Sequence, residues 1–263
     1  MTRNSFDPFQ AATWIAAQRR RNASLAHLPA AMKPMTEDLG YAVQAALRDL
    51  LAERGRPIGW KIGATTAAMR DLLNVPGPCA GEMHEHGLRR NHARLPRDAF
   101  IRPGLECEIA MELGRPLGGT GTIDAAEAGR AVTRIFPAAE IVDDRYGEFR
   151  SFGAPALIAD FFFHAGLVLG DPIEAWQGID LAAVTGVTRV NGEDRLRGRG
   201  ADVLGHPLAA LAWLANRVTA LGRRLETGQI IMTGSLPLPY WAERGDHVEI
   251  VLAGLGNVTI DID

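Results

Sequence analysis

The stretch Arg102–Leu113, R-P-G-L-E-C-E-I-A-M-E-L, constrains this chain more than any other. Leu105, Cys107, Ile109, Met111 and Leu113 alternate with Glu106, Glu108, Ala110 and Glu112. A period of two marks a β-strand, because successive side chains leave opposite faces of the pleat. The alternation predicts one apolar face turned to a core and one face carrying Glu106 and Glu108 side by side. Their Cβ atoms are then about 7 Å apart by strand rise. Carboxylates at that spacing repel unless something positive lies between them. A hard divalent cation meets that need, since Mg²⁺ and Mn²⁺ prefer oxygen ligands.

Taken alone, Glu-x-Glu reads first as the solvated acidic face of a half-exposed strand, because charged residues are mostly exposed. Two neighbouring features argue against that. The strand follows a Pro-Gly turn, and a third carboxylate, Glu140, lies between Ala139 and Ile141 in F-P-A-A-E-I-V-D-D-R. An acidic residue in an apolar run is costly to bury unless it is paired or coordinated.

With 263 residues there is room for one large domain, or one domain with a small N-terminal addition. The hydrophobic fraction of 47% supplies a core, and the net charge of −3 leaves no basic footprint, so nucleic acid is not an expected partner. The Q-R-R-R run at 18–21 reads as a solvated helix face. Two cysteines, Cys79 and Cys107, form neither a disulfide framework nor a four-ligand zinc site. The opening M-T-R-N-S-F-D lacks the apolar segment of a signal peptide, and no apolar run reaches the roughly 20 residues of a membrane span. A cytoplasmic protein with no membrane partner is expected.

In chain order, residues 7–24 predict a helix with Asp7 as N-cap and Pro8 at its first position. Residues 36–54 predict a second, capped by Thr36, with Val43, Ala46, Leu47, Leu50 and Leu51 at helical spacing and Gly55 as its stop. These define a helical N-terminal subdomain, 1–56, packed on a strand-rich part, 57–263. In P-I-G-W-K-I-G, Ile58, Trp60 and Ile62 share one face. Lys61 lies on the other between Gly59 and Gly63, with open space for a ligand or simply exposed. Thr65 or Thr66 caps a short helix through Leu73, and V-P-G-P-C-A-G-E-M reads as a loop. His84-Glu85-His86 lacks the spacing of a zinc-hydrolase helix and reads as a polar loop.

Further on, Asp124 predicts a helix to Phe136, broken by Pro137, before a short strand through Glu140 that Asp144 and Arg145 close. In Ala156–Gly170 only Asp160 and His164 interrupt the apolar run. If the run is helical they meet on one face, either as a functional pair or as a satisfied core pair. Asn191-Gly192 signals a type I′ hairpin. The glycines of R-G-R-G-A-D-V-L-G do not form a phosphate loop. Pro207 opens a helix that Gly222 ends, and strands follow at 229–233, 246–252 and 257–262. Thr233-Gly234-Ser235 offers hydroxyls and backbone N–H groups to a substrate carboxylate, or is a plain turn.

Together these stretches resemble the fumarylacetoacetate hydrolase superfamily, in its branch of 2-keto-4-pentenoate hydratases and 4-oxalocrotonate decarboxylases. The matching segments are G-W-K-I-G (59–63), P-G-L-E-C-E-I-A (103–110), P-A-A-E-I-V-D-D-R (137–145), G-R-G-A-D-V-L-G-H-P (198–207), A-W-L-A-N (212–216), I-I-M-T-G-S (230–235) and G-D (245–246). The resemblance implies an α+β fold, a mixed β-roll or sandwich preceded by a helical N-terminal part. It implies a Mg²⁺ or Mn²⁺ site at Glu106, Glu108 and Glu140. Lys61 matches the branch's active-site lysine and Asp160 an aspartate of its A-D-N stretch. Members are homo-oligomers.

The expected substrate is a small 2-oxo acid whose carboxylate and keto oxygens chelate the cation, which polarises the carbonyl and stabilises the enolate. Lys61 is the candidate for proton transfer, its pKa lowered beside a cation. Arg145, Thr233 and Ser235 are the candidates for binding the substrate. Hydration of a 2-hydroxy-2,4-dienoate is the first expectation, followed by decarboxylation and then C–C hydrolysis. A non-catalytic partner subunit is the remaining class. Two departures bear on the reaction. Pro78-Cys79-Ala80-Gly81 stands where the branch has Pro-Asp-x-Gly, and Phe161-Phe162-Phe163 stands where it has Asn and small residues.

Overall fold

The chain enters its first helix where the sequence signals it. In the computed structural model, which describes residues 6–263, Asp7 accepts a 2.9 Å hydrogen bond from the Phe9 N–H and Pro8 opens α1 (Pro8–Arg20). The M-T-R-N-S run, read above as no leader, lies outside the described residues. α1 stops at Arg20 rather than 24, and Asn22 takes a positive φ of 47° beyond it. α2 (Glu37–Leu50) is capped by Thr36 as expected. Ala11, Ile15, Val43 and Leu47 from these helices join one core with Ile62, Leu105 and Ile158. The buried Gln44 stitches α2 to that core. Its amide donates to the carbonyls of Ala80 (3.1 Å) and Ile158 (2.7 Å), and its oxygen accepts from the Glu82 N–H (3.0 Å).

β1 (Pro57–Gly63), α3 (Ala67–Leu73, capped by Thr66) and β2 (Cys79–His84) come next. The segment expected as a loop is half strand. β2 runs antiparallel to β1 with Lys61 opposite Gly81, and His84, expected in a polar loop, ends it buried at 3% exposure. β3 (Leu88–Arg90), β4 (His92–Leu95) and β5 (Pro103–Leu113) lead to α4 (Ala125–Ala131) and β6 (Val132–Asp143). The helix expected to reach Phe136 ends at Ala131, where β-branched Val132 and Thr133 favour extended chain. Pro137 does not break a helix. It lies within β6, and its carbonyl accepts a 2.8 Å hydrogen bond from the Gly170 N–H.

α5 (Gly153–Ala159) and β7 (His164–Leu169) divide the apolar run that sequence left as one possible helix. Between them Phe161, Phe162 and Phe163 all take left-handed φ, at 57°, 49° and 69°. Asp160 and His164 therefore share no helix face. β8 (Thr185–Val190) and β9 (Glu193–Arg199) form the expected hairpin, with Asn191 and Gly192 at φ 53° and 85°, the positive pair that a type I′ turn demands. α6 (Pro207–Ala220), β10 (Ile230–Met232), β11 (Tyr240–Trp241), β12 (His247–Leu252) and β13 (Gly256–Ile262) complete the chain.

Among the described residues the strands form one mixed sheet in the order β2-β1-β10-β5-β6-β7-β3-β4-β13-β12-β8-β9, with β11 on β5. The pairs β1–β10, β3–β7 and β4–β13 are parallel and the rest antiparallel. This is the expected α+β, sheet-rich architecture. β5 is central and buried on both faces. Leu105, Cys107, Ile109 and Met111 enter the main core, while Ala110 joins a second core with Phe136, Ala138 and Met232. The solvated acidic face that Glu-x-Glu alone suggests does not exist. Among the described residues no helix is long and apolar enough to cross a membrane.

Candidate metal centre and active site

The antiparallel ladder of β5 and β6 sets Glu106 opposite Glu140, with Glu108 one pleat further along. All three are buried, at 6%, 0% and 0% exposure, and each offers an oxygen within 4.8 Å of the others. Burial and mutual repulsion push Glu108 well above the usual carboxylate range. Burial raises Glu106 to about 8, against the pull of Lys61, and burial also raises Glu140 above the usual carboxylate range. Glu108 Oε1 and Glu140 Oε2 have no hydrogen-bond partner. Buried acceptors without donors cost about 1–3 kcal/mol each. A divalent cation fits this donor set, because it takes hard oxygen ligands and offsets their repulsion.

Three groups hold the carboxylates in place. Lys61 Nζ, from β1, lies 3.3 Å from Glu140 Oε1. Burial opposes its charge, but Glu140, Glu106 and Glu108 outweigh burial and hold its pKa above the ordinary lysine value. The lowering expected from sequence belongs to the cation-bound centre; the carboxylates alone act in the opposite direction. His164, at the start of β7, places Nδ1 2.9 Å from the same Glu140 oxygen. Burial and the charge of Lys61 push its pKa well down, so the ring is neutral and donates. The Gly234 N–H donates to Glu108 Oε2 at 2.8 Å. Gly234 has φ +112°, and a Cβ there would meet Thr65 Oγ1 at 2.3 Å, so only glycine fits.

The other expected site residues divide. Ser235 is buried beside this centre in sequence, and its hydroxyl has no partner. The Thr233 hydroxyl is spent on the Ile109 carbonyl at 2.8 Å. Asp160 is not brought to the carboxylates. It pairs with Arg19 and accepts from the Tyr146 hydroxyl at 3.3 Å. Arg145 is not brought there either. It pairs with Asp143 at 3.0 Å and lines a different cavity.

The open space inferred around Lys61 exists on the Gly63 side, where Lys61 and Gly63 line a pocket, and is closed by protein on the Gly59 side. A Cβ on Gly59 would collide with the Ile230 carbonyl, and one on Gly63 would meet the Phe162 ring at 2.3 Å. Phe162 lies over Lys61, its ring centre 5.1 Å from Nζ. What remains open is a pocket whose polar groups are Lys61 and Glu106, walled by Met69, Leu72, Val142, Phe149, Phe162 and Trp241 among others. His164 meets Glu140 rather than the expected Asp160, the Gly234 N–H meets Glu108 rather than a substrate, and the contact of Phe162 with Lys61 was not foreseen. The left-handed turn at Phe161–Phe163 has no local signal, and His164 reaches Glu140 only through strand pairing.

The fold and the site define a class: a mixed sheet that gathers three buried carboxylates and a lysine into a centre suited to a divalent metal. Residues 86–263 match the family model described as fumarylacetoacetate (FAA) hydrolase C-terminal, and the chain belongs to that family. Its relatives narrow the branch to the 2-keto-4-pentenoate hydratases and 4-oxalocrotonate decarboxylases. A 4-oxalocrotonate decarboxylase of Pseudomonas putida is 31% identical over 226 residues, covering 86% of this chain and 85% of that protein. 2-Keto-4-pentenoate hydratase 2 of Dechloromonas aromatica (strain RCB) is 32% identical over 260 residues, 98% of each chain. In structure, the 4-oxalocrotonate decarboxylase from Pseudomonas putida G7, complexed with magnesium and adipate, superposes with a TM-score of 0.91 at 27% identity, covering 100% of this chain and 99% of that one.

Proposed function

We propose that this chain is a divalent-metal-dependent lyase of small 2-oxo acids, and that its reaction is addition of water to a 2-hydroxy-2,4-dienoate or its 2-oxo-4-enoate tautomer. The observation that carries this reading is the convergence of buried Glu106, Glu108 and Glu140 beside Lys61, at a pocket that Lys61 and Glu106 line. Bound there, Mg²⁺ or Mn²⁺ supplies Lewis acidity toward the 2-oxo group. The remaining tasks fall to the chain. Lys61 holds or moves a proton at Nζ, next to the substrate's acidic end. Ser235 has a free hydroxyl to donate to the substrate carboxylate. Phe162, Val142 and Trp241 keep water from the substrate's tail. Asp160 and Arg145 stand back from the chemistry in their own ion pairs. The hydratases among the relatives support this choice, and a homo-oligomer in solution goes with it.

The test is a substrate panel with Mg²⁺ or with a chelator, following loss of dienol absorbance and release of CO₂. Metal-dependent loss of 2-hydroxypenta-2,4-dienoate without CO₂ is expected. Full turnover in the chelator overturns the reading. Glu106→Gln is expected to abolish the metal-dependent rate with the fold intact. A second reading, decarboxylation of a 4-oxalocrotonate-like acid, is favoured by Cys79. Burial pushes its thiol far up, so it supplies no acid where the hydratases carry Asp. CO₂ release without hydration would select it.

A further inference from the structure

A second cavity lies behind β6, on the face away from the carboxylates. Val142 lines the active-site pocket, while Ile141 and Asp143 line this one, as strand alternation requires. Its volume is about 320 Å³, roughly ten times a water's share of liquid. Arginine dominates its polar lining: Arg19, Arg54, Arg89 and Arg145, against the single lining carboxylate of Asp143.

The acids are already engaged. Asp143 accepts from the Arg102 N–H at 2.8 Å and from Arg145 Nη1 at 3.0 Å. Arg19 is paired with Asp160. Among the described residues Arg54 donates only to the Ala165 carbonyl (3.3 Å), and Arg89 only to the carbonyls of His86 (2.6 Å) and Leu88 (3.0 Å). Arg19 and Arg145 thus have carboxylate partners, while Arg54 and Arg89 form no salt bridge among the described residues. Arg145 is 5% exposed, and among the described residues its Nε has no acceptor. A buried N–H of that kind is rarely left orphaned. Burial and the charge of Arg19 also draw Arg54 down to about 10, the mark of an uncompensated cluster.

We propose that this cavity binds a small oxyanion of charge −2, of the size of inorganic phosphate or a short dicarboxylate, gripped by Arg145, Arg54 and Arg89. Such a ligand bridges the segment after α2, β3 and the end of β6. Guanidinium groups suit it, because they present fixed forks of donors to anionic oxygens.

The experiment titrates the full Mg²⁺-loaded chain with inorganic phosphate, and in a parallel arm with succinate, at constant ionic strength set by sodium chloride. The thermal midpoint is followed in both arms and ³¹P line width in the first. A saturable rise in the midpoint is expected in one arm or both, and the stronger arm identifies the source of the anion. Affinity is expected to fall by about tenfold or more in Arg54→Gln and in Arg89→Gln, one charge-assisted contact each, and to stay unchanged in the distant Arg195→Gln. Circular dichroism confirms that each variant is folded. Equal responses in Arg54→Gln, Arg89→Gln and the parent, or a response that chloride alone reproduces, overturn the proposal. Dissociation of an oligomer in Arg54→Gln also overturns it, because the occupant is then a carboxylate of a second copy.

Discussion

His164 Nδ1 lies 2.9 Å from Glu140 Oε1, the same oxygen that Lys61 Nζ approaches at 3.3 Å. Two donors on one oxygen turn the other, unpartnered Glu140 Oε2 toward whatever cation the centre takes. Groups that orient a metal ligand typically change metal affinity by 10–100-fold when removed. His164→Ala is therefore expected to weaken Mg²⁺ or Mn²⁺ binding by about tenfold or more, with the fold retained. Metal titration by calorimetry checks this, and unchanged affinity would make His164 merely structural.

Glu108 sets metal binding against stability. It is fully buried, one oxygen is orphaned, and its neighbours are two more carboxyls. Glu108→Gln keeps the shape and can still accept from the Gly234 N–H, but removes an acid whose burial is costly. The metal-free variant is expected to gain roughly 1–2 kcal/mol in denaturant melts, the usual size for relief of a strained functional site. Its metal-dependent turnover is expected to vanish. Lower stability than the parent without metal would contradict this account of the triad.

How far the sequence carried this site depended on whether the signal was local. Glu106 and Glu108 were legible because alternation puts both on one face, and Glu140 because an acid amid Ala and Ile needs a reason to be buried. Asp7, Thr36 and Asn191-Gly192 were legible, and the α3 cap was narrowed to Thr65 or Thr66, because caps and hairpin turns act within four residues. The fold class followed from the resemblance those segments carry. The link of His164 to Glu140 was not legible, since Glu140 lies on the paired strand β6, 24 residues earlier in the chain. Arg145 and Asp160 were named from residue type and family position, but only the packed sheet tells which side of β6 an arginine faces. The helix expected to reach Phe136 stops at Ala131, because β-branched Val132 and Thr133 begin β6, and pairing with β5 carries the strand on through Phe136.

Gly63 and Phe162 are mutually dependent. A methyl on Gly63 would sit 2.3 Å from the Phe162 ring and 3.3 Å from Lys61 Nζ. Gly63→Ala is expected to cost about 1–3 kcal/mol by overpacking and to displace the ring from Lys61, lowering turnover. Phe162→Ala in the same chain removes the obstruction. The double variant is expected to be more stable than the sum of the single effects, a coupling that a double-mutant cycle reads directly. Simple additivity would mean that the two residues do not press on each other.

His84 makes stability depend on pH in a way that one variant isolates. It is buried at the end of β2, its Nε2 has no partner, and the Phe161 ring packs on it edgewise at 5.1 Å. Burial, then the charges of Arg54, Arg19 and Arg48, push its pKa from 6.5 down to about 3. The folded chain therefore keeps the ring neutral while the unfolded chain protonates it below 6.5. Its contribution is complete above pH 6.5 and is lost as pH falls toward 3, where the folded form protonates too. By linkage the loss at pH 5 is on the order of 2 kcal/mol relative to pH 8. The buried glutamates of the metal-free chain slope the other way, so the parent's curve alone is not diagnostic. The difference between parent and His84→Gln cancels them. That difference is expected to shift by about 2 kcal/mol in favour of the variant between pH 8 and pH 5. Urea melts at matched ionic strength measure it, and a flat difference would mean that His84 is protonated in the fold.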